Sequence, residues 1–234
     1  MKKSLLVFAL LMLSAILTKS FSQNCDYYIP LKEGKGMQMQ SFSAKDKLTS
    51  TSDMKIVNVT TDGTGTTATL HVTSTNEKGK VHEGEFKVKC TGSGIVIDAQ
   101  SFMDSKAIPE MKDMEVKIES IDFELPANLS VGTNLKDAQV KMTMSKQGMN
   151  FMENVVNFVN RKVAGQQKMT VPAGSFECYK ITYDIQSEAK TMGMPTKTTL
   201  KSIEYFAKGV GNVRSERYDS SDKLMSYTVL TKIY

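Results

Sequence analysis

The sequence predicts an all-β protein built from antiparallel meanders. These form one or two strongly curved, half-barrel-like sheets, with a short helix between the two halves. Segments rich in Val, Ile, Thr and Phe recur along the chain, and such residues favour strands. Turn-forming pairs such as Asp62-Gly63 separate these segments. Helical periodicity is scarce after residue 23, so successive strands are expected to pair with one another and bury one face.

The chain opens with the features of an export signal. Two lysines precede an apolar run over residues 4–17, which has the length of a signal core and is short for a transmembrane helix. Small residues near its end place the cleavage after Ser22. We therefore predict a signal peptide over residues 1–22, an exported protein in the periplasm or outside the cell, and no integral membrane span after signal removal.

The strand pattern divides the remaining chain into two halves. A first β meander is predicted over residues 23–100, a connector containing the short helix over 101–122, and a second β meander over 123–234. The segments 27–39 and 123–137 share an apolar-Pro opening followed by a Gly, which indicates a tandem pseudo-repeat. The two meanders are expected either as two sheets or as one continuous domain.

Charge and composition exclude some partners. The sequence has 30 basic and 25 acidic residues, a net charge of +5, and the predicted signal contains three of the lysines. No Lys/Arg cluster stands out, so nucleic acid is not an expected partner. The sequence predicts no cofactor.

Three cysteines indicate one disulfide and one free thiol in an oxidising compartment. All three pairings are open, and Cys25–Cys90 is favoured because it would tie the N-terminus to the first meander. It would close a loop of about 66 residues, worth roughly 4 kcal/mol in the chain-entropy account. Cys178 is then the free thiol candidate. A lipid anchor at Cys25 is disfavoured because the residues before it lack the small apolar side chains of a lipobox.

The long strand predicted over residues 175–187 places its side chains on two faces. Tyr179, Ile181 and Tyr183 share one face and, with Tyr205 on a later strand, are predicted to line a groove or fill the core. Cys178 lies on the opposite face. A nucleophilic cysteine needs a neighbouring base or positive field, and no recognisable motif supplies one here. We predict no catalytic residues.

Methionines recur in pairs that share one side of a strand. Thioethers favour Cu(I), so these pairs are weak candidates for a metal site, although Met also serves as adaptable filler in cores and grooves. The pairs are Met37/Met39, Met142/Met144 and Met192/Met194.

Four stretches resemble the TapB-like family of secreted Bacteroidetes proteins, which is related to a periplasmic domain of unknown function. They read CDYYIPLKEG at 25–34, FKVKC at 86–90, NRKVAGQQKMTVPAGSFECYKITYD at 160–184 and EYFAKGVGNVRSERYDSSDKLMSYTVLTKIY at 204–234. The resemblance implies an all-β exported protein without an established enzymatic activity, and it implies no catalytic residues.

The sequence therefore predicts an exported, non-catalytic β protein that binds an apolar ligand, such as a lipid or peptide, or serves envelope maintenance. Two alternatives stay open. One is a periplasmic protein that binds Cu(I) through its methionines. The other is an uncharacterised enzyme that uses Cys178 or an acid pair assembled in space.

Overall fold

Strands make up almost all of the regular structure in the computed structural model of this protein, which describes residues 28–100, 115–191 and 194–234. No helix among those residues is long and apolar enough to cross a membrane. The strands are β1 (Gly36–Ser43), β2 (Leu48–Asp62), β3 (Gly65–Asn76), β4 (Val81–Thr91), β5 (Gly94–Ile97), β6 (Glu115–Ile121), β7 (Phe123–Pro126), β8 (Ala138–Lys146), β9 (Met149–Val171), β10 (Gly174–Thr191), β11 (Met194–Ala207), β12 (Gly211–Tyr218) and β13 (Leu224–Ile233).

All thirteen strands belong to one antiparallel sheet in the order β6-β8-β9-β10-β11-β12-β13-β1-β2-β3-β4-β5-β7. The two edge strands, β6 and β7, are consecutive in the chain and only Asp122 separates them. The two edges of the sheet therefore come together and the sheet nearly closes on itself. The predicted all-β fold of strongly curved antiparallel meanders is confirmed, as one sheet.

Strands β6 and β7 lie where the boundary between the two halves is predicted. Residues 115–121, assigned to the connector, form strand β6, in which Val116 and Ile118 alternate with charged residues as strand side chains do. Residues 123–126, assigned to the second meander, form β7 and pair with β5 of the first. Residues 101–114, where the short helix is predicted, lie outside the described residues.

The interior is packed at one end by side chains from both halves. Two segments outside the strands add Tyr28, Ile29 and Leu31, and Leu129 and Leu135, to this cluster. The strands contribute Ile56, Ala68, Leu70, Val88, Cys90, Ile95, Leu125, Val163, Ile181, Tyr183, Ile185 and Phe206. We call this set the main cluster, and the end of the interior that it occupies the filled end.

Tyr28 anchors the N-terminal segment inside the filled end. Its side chain is fully buried, its ring meets Phe206 edge-to-face with centroids 5.5 Å apart, and its hydroxyl donates a hydrogen bond to the carbonyl oxygen of Pro126 at 2.7 Å. Burial raises the pKa of Tyr28 to about 12. The phenol therefore stays a neutral donor that ties the segment before β1 to β7.

A buried arginine spans the gap between strand β9 and the edge strand β7. Arg161 on β9 is 4% exposed, and its guanidinium donates to the carbonyl oxygens of Lys136 and, at 3.4 Å, of Glu124 on β7. The same group lies 5.1 Å from the centroid of the Phe123 ring. Burial lowers the pKa of Arg161. Arg161 thus joins β9 to β7, which no ladder of backbone hydrogen bonds connects.

A second hydrophobic cluster lies where the β9–β10 hairpin reaches the neighbouring strands. It contains Met37, Met39, Val171, Cys178, Tyr205, Ala207, Val213, Val229 and Leu230. The turn of that hairpin contacts β13, where the Ala173 amide donates to the carbonyl oxygen of Leu230 at 3.4 Å. Cys178 therefore belongs to a different cluster from its neighbour Tyr179, as the alternation of side chains along β10 predicts.

Glycines make the turn between β11 and β12. Gly209 and Gly211 have φ values of 71° and 100°, which L-residues with side chains rarely adopt. A Cβ on Gly211 would also lie 3.2 Å from a side-chain carbon of Ile29. This turn therefore brings the chain against the N-terminal segment that packs the filled end.

Candidate functional site

The inward face of the sheet changes character along six neighbouring strands. Residues that pair across an antiparallel ladder point to the same face, so the pairing identifies the inward side chains. Each strand is apolar towards the filled end, and most turn to Ser or Thr towards the other end. In that direction the inward residues are Met37, Met39, Ser41 and Ser43 on β1; Ile56, Met54, Ser52 and Ser50 on β2; Leu70, Val72 and Ser74 on β3; Val88, Phe86, Gly84 and His82 on β4; Leu230, Thr228 and Ser226 on β13; and Val213, Ser215 and Arg217 on β12.

The hydroxyl groups meet in rows across the strands. The Ser52 hydroxyl donates to the Ser74 hydroxyl at 2.9 Å, and the Ser41 and Thr228 hydroxyls lie 2.9 Å apart. The strand register extends the second row from Thr228 to Ser215. These side chains are short and partly satisfied by one another, so they line the inward face without filling the space above it.

The space above this face is a concave groove of about 720 Å³. Its floor is apolar and its walls carry hydroxyl, amide and charged side chains. Among the described residues, the lining is Met39, Ser52, Met54, Val72, Ser74, His82, Glu83, Gly84, Glu85, Phe86, Asn212, Ser215, Arg217, Ser226, Tyr227 and Thr228. A groove with an apolar floor and hydroxyl walls can hold a molecule that has both an apolar body and a polar end.

The two arginines of β12 lie on opposite faces of the sheet and differ in their partners. Arg214 forms an ion pair with Glu216 at 2.7 Å and stacks 4.6 Å from the centroid of the Tyr227 ring. Arg217 pairs in register with Ser226, faces the groove and is exposed. It forms no ion pair with any other described residue.

Glu216 organises the opposite face of the same strand. The Tyr218 hydroxyl donates to one carboxylate oxygen of Glu216 at 2.8 Å, and Arg214 donates to the other carboxylate oxygen. Burial and the neighbouring Glu216 raise the pKa of Tyr218 to about 12. Arg214 is therefore held by Glu216 and Tyr227 on the other face of the sheet, which leaves Arg217 as the arginine of β12 that faces the groove.

The four residues predicted to fill the core or line a groove lie in or against the hydrophobic clusters and not in this groove. Tyr179, Ile181 and Tyr183 pack in or against the main cluster, and Tyr205 lies in the second cluster. The Tyr183 hydroxyl donates to Glu204 at 2.7 Å. Burial and Glu204 raise the pKa of Tyr183, and the positive charge of Arg217 opposes that rise. None of these four residues is among the described residues that line the groove.

Cys178 is buried in the second cluster. Its thiol is free and 1% exposed, its Sγ lies 3.5 Å from the carbonyl oxygen of Phe176, and burial raises its pKa to about 11. The thiol is therefore protonated at neutral pH, which opposes a nucleophilic role. Cys90 is buried in the main cluster. Cys25 lies outside the described residues, so the Cys25–Cys90 bridge stays a prediction that non-reduced peptide mapping tests.

The methionine pairs are far apart in the sheet. Met37 and Met39 are buried on β1, and Met142 and Met144 are buried on β8, with five strands between β1 and β8. Met194 is exposed at the start of β11, and Met192 lies outside the described residues. Among the described residues no three His, Cys, Asp or Glu side chains gather in a group that could hold a metal ion. This arrangement gives the Cu(I) hypothesis no support.

Sequence reasoning missed most of the groove. Of its lining, the sequence singles out only Met39 as a candidate site residue. The missed signal is the change from apolar to hydroxyl side chains at alternate positions, as in Ile56, Met54 and Ser52. One such change is ordinary. It becomes informative only when the register shows that six adjacent strands change at the same level.

Two solved structures share this fold. A candidate lipoprotein from Parabacteroides distasonis ATCC 8503 is 24% identical, with a TM-score of 0.73 over 91% of this chain and 100% of that one. A candidate exported protein with a YmcC-like fold from Bacteroides fragilis NCTC 9343 is 20% identical, with a TM-score of 0.68 over 90% of this chain and 100% of that one. No curated protein matches this chain.

The family assignment rests on most of the chain. The sequence pattern of the DUF3108-like family matches residues 32–230, which include nearly every described strand in full and the whole groove lining. The predicted relation to a domain of unknown function is thereby confirmed, while the TapB-like designation stays a prediction. This chain belongs to the DUF3108-like family.

Proposed function

We propose that this protein is an exported, non-catalytic binding protein that holds the apolar part of a small amphipathic ligand in its concave groove. The observation that carries the proposal is the groove itself, with a volume of about 720 Å³. Ligand sites in proteins are commonly concave, largely apolar and of about 300–1,000 Å³. The floor of Met39, Met54, Val72 and Phe86 supplies the apolar contact surface.

The filled end supports this proposal by contrast. Strands β2, β3 and β4 run through both ends, and at the filled end their side chains pack with Tyr28, Leu129 and Leu135 into a continuous cluster. The fold is therefore able to fill its interior. The short inward hydroxyl residues at the other end leave space that a longer apolar side chain would occupy.

Export is supported from two directions. The N-terminal sequence has the charge and hydropathy pattern of a signal peptide. The two proteins that share the fold are described as a candidate lipoprotein and a candidate exported protein. We propose cleavage after Ser22 and a location in the periplasm or outside the cell.

A binding role is favoured over nucleophilic catalysis by the state of Cys178. Its thiol is buried in the second cluster and its pKa is raised to about 11. A thiol of that kind lacks the low pKa and the access that a catalytic cysteine requires. Cys178 is not among the described residues that line the groove.

Saturable binding of a neutral apolar probe tests the proposal. N-phenyl-1-naphthylamine, whose fluorescence rises in an apolar environment, should bind the purified protein with one site. Ser74→Trp, which places a large ring in the groove, should weaken binding about tenfold or more. Thr73→Trp adds the same ring to the other face of β3 and should leave the Kd within about twofold.

Thermal unfolding should show that both variants fold. Binding that Ser74→Trp leaves unchanged would place the probe outside the groove and would contradict the proposal. Failure of the wild-type protein to bind any apolar probe would contradict it as well.

A further inference from the structure

We infer that Arg217 recognises the carboxylate of a single-chain amphiphile whose apolar tail lies on the groove floor. This inference rests on the proposed function and names the chemical class of ligand for the same groove. It starts from the charges that face the groove. Arg217 is the one arginine or lysine in the described lining.

The position of Arg217 is fixed by the strands on both sides of β12. It pairs with Ser226 on β13 and with Ser202 on β11, so its side chain leaves the sheet on the inward face. Ser226 and Ser215 line the groove beside it. An oxyanion bound to the guanidinium would have hydroxyl donors within the same wall.

Among the described residues, the carboxylates near the groove form no ion pair with Arg217. Glu83 and Glu85 alternate on β4 with the inward residues His82, Gly84 and Phe86, so their side chains leave the other face of that strand. Glu204 pairs with Ser215 on the inward face, and its carboxylate accepts the hydroxyl of Tyr183.

Arg217 has no carboxylate partner of its own. The described residues place none within ion-pair distance of its guanidinium. An exposed guanidinium at the edge of an apolar groove therefore retains its full donor capacity for a ligand.

A carboxylate suits this arrangement better than a phosphate monoester. A guanidinium matches a carboxylate with two parallel hydrogen bonds and one compensating charge. A phosphate monoester carries about −1.5 to −2 charges at neutral pH, which a single arginine would leave partly uncompensated. The apolar floor requires a tail, so the ligand class is a long-chain carboxylate.

Three probes that share a decyl chain test the inference: decanoate, decanol and decyl phosphate. Competition with N-phenyl-1-naphthylamine gives each Kd. The wild-type protein should prefer decanoate over decanol by about tenfold or more, and this preference should shrink as salt screens the charge. Arg217→Gln should abolish the preference, so that decanoate and decanol bind with Kd values within about twofold of each other. Arg217→Lys should retain part of it because it keeps the charge without the planar fork.

Lys223→Gln is the matched control. It removes the same charge from the exposed turn between β12 and β13 and should leave the preference for decanoate unchanged. A preference that survives in Arg217→Gln would overturn the inference while leaving the proposed function standing. Tighter binding of decyl phosphate than of decanoate would overturn the choice of carboxylate. Failure of the wild-type protein to bind any of the three probes would contradict both the proposed function and this inference.

Discussion

The filled end and the groove end of the interior share strands β2, β3 and β4, yet one is packed and the other is open. At the filled end the inward residues are large and apolar, and two non-strand segments complete the packing. At the groove end the inward residues are mainly serines and threonines that bond to one another across strands, as Ser52 does to Ser74. The two ends differ in their side chains and not in their backbone architecture. Matched point substitutions should therefore have different effects at the two ends.

The largest difference is expected between the two inward arginines. Arg161→Ala should cost about 3 kcal/mol of unfolding free energy, because it empties a buried site and removes the donor to the carbonyl oxygens of Lys136 and Glu124. Arg217→Ala at the groove should cost less than about 0.5 kcal/mol because its side chain is exposed. Urea denaturation measures both. Equal losses of unfolding free energy would show that Arg161 does not stabilise the contact between β9 and β7.

The next contrast compares the same substitution, Val→Ala, at the two ends of the interior. Val88→Ala removes two methyl groups from a fully buried site in the main cluster and should cost about 2 kcal/mol. Val72→Ala removes the same atoms from the groove floor, which is only partly buried, and should cost about 1 kcal/mol or less. A larger loss at Val72 would mean that the groove is packed in solution.

The smallest perturbation is chemical labelling, which compares the reactivity of a buried thiol with that of a thiol in the groove. Cys178 should react slowly with iodoacetamide at neutral pH and faster as the pH rises towards its pKa of about 11, because the thiolate is the reactive form. A cysteine introduced by Ser74→Cys lies in the groove and should react about 100-fold faster, and decanol should protect it. Comparable rates would show that the groove and the second cluster are equally accessible.

The same raised pKa links Cys178 to stability. The thiol is favoured over the thiolate in the folded state, so its contribution is fully present below the ordinary pKa of about 9 and is lost as the pH rises through 11. Cys178→Ala should flatten the stability profile over that alkaline interval. An unchanged profile would show that the folded state does not restrain the ionisation of this thiol.

The sequence was sufficient for the fold class because strand residues and turns alternate through the chain. It also separated the two faces of β10, since Tyr179 and Cys178 lie in different clusters. It did not resolve β6 and β7. These strands are short and lie at the edges of the sheet, and the pairing of β7 with β5 across the connector is a long-range contact that local patterns do not specify.

The groove could not be predicted from single strands. Ser52 and Ser74 are ordinary strand residues in the sequence, and they become a wall only through the register that places them opposite each other. Arg217 likewise reads as one more charged residue on β12. Its distinction from Arg214 depends on which face of the sheet each side chain leaves and on the Glu216 that pairs with only one of them.

The most direct test of the groove uses the absence of tryptophan from the sequence. Phe86→Trp places a single fluorophore on the groove floor, and Phe176→Trp places one against the second cluster as the control. A brominated decanol, which quenches only at short range, should quench the fluorescence of the Phe86→Trp variant in a saturable manner and leave that of the Phe176→Trp variant unaffected. Equal quenching of both variants, or quenching of the control alone, would contradict the proposal that the groove holds the apolar ligand.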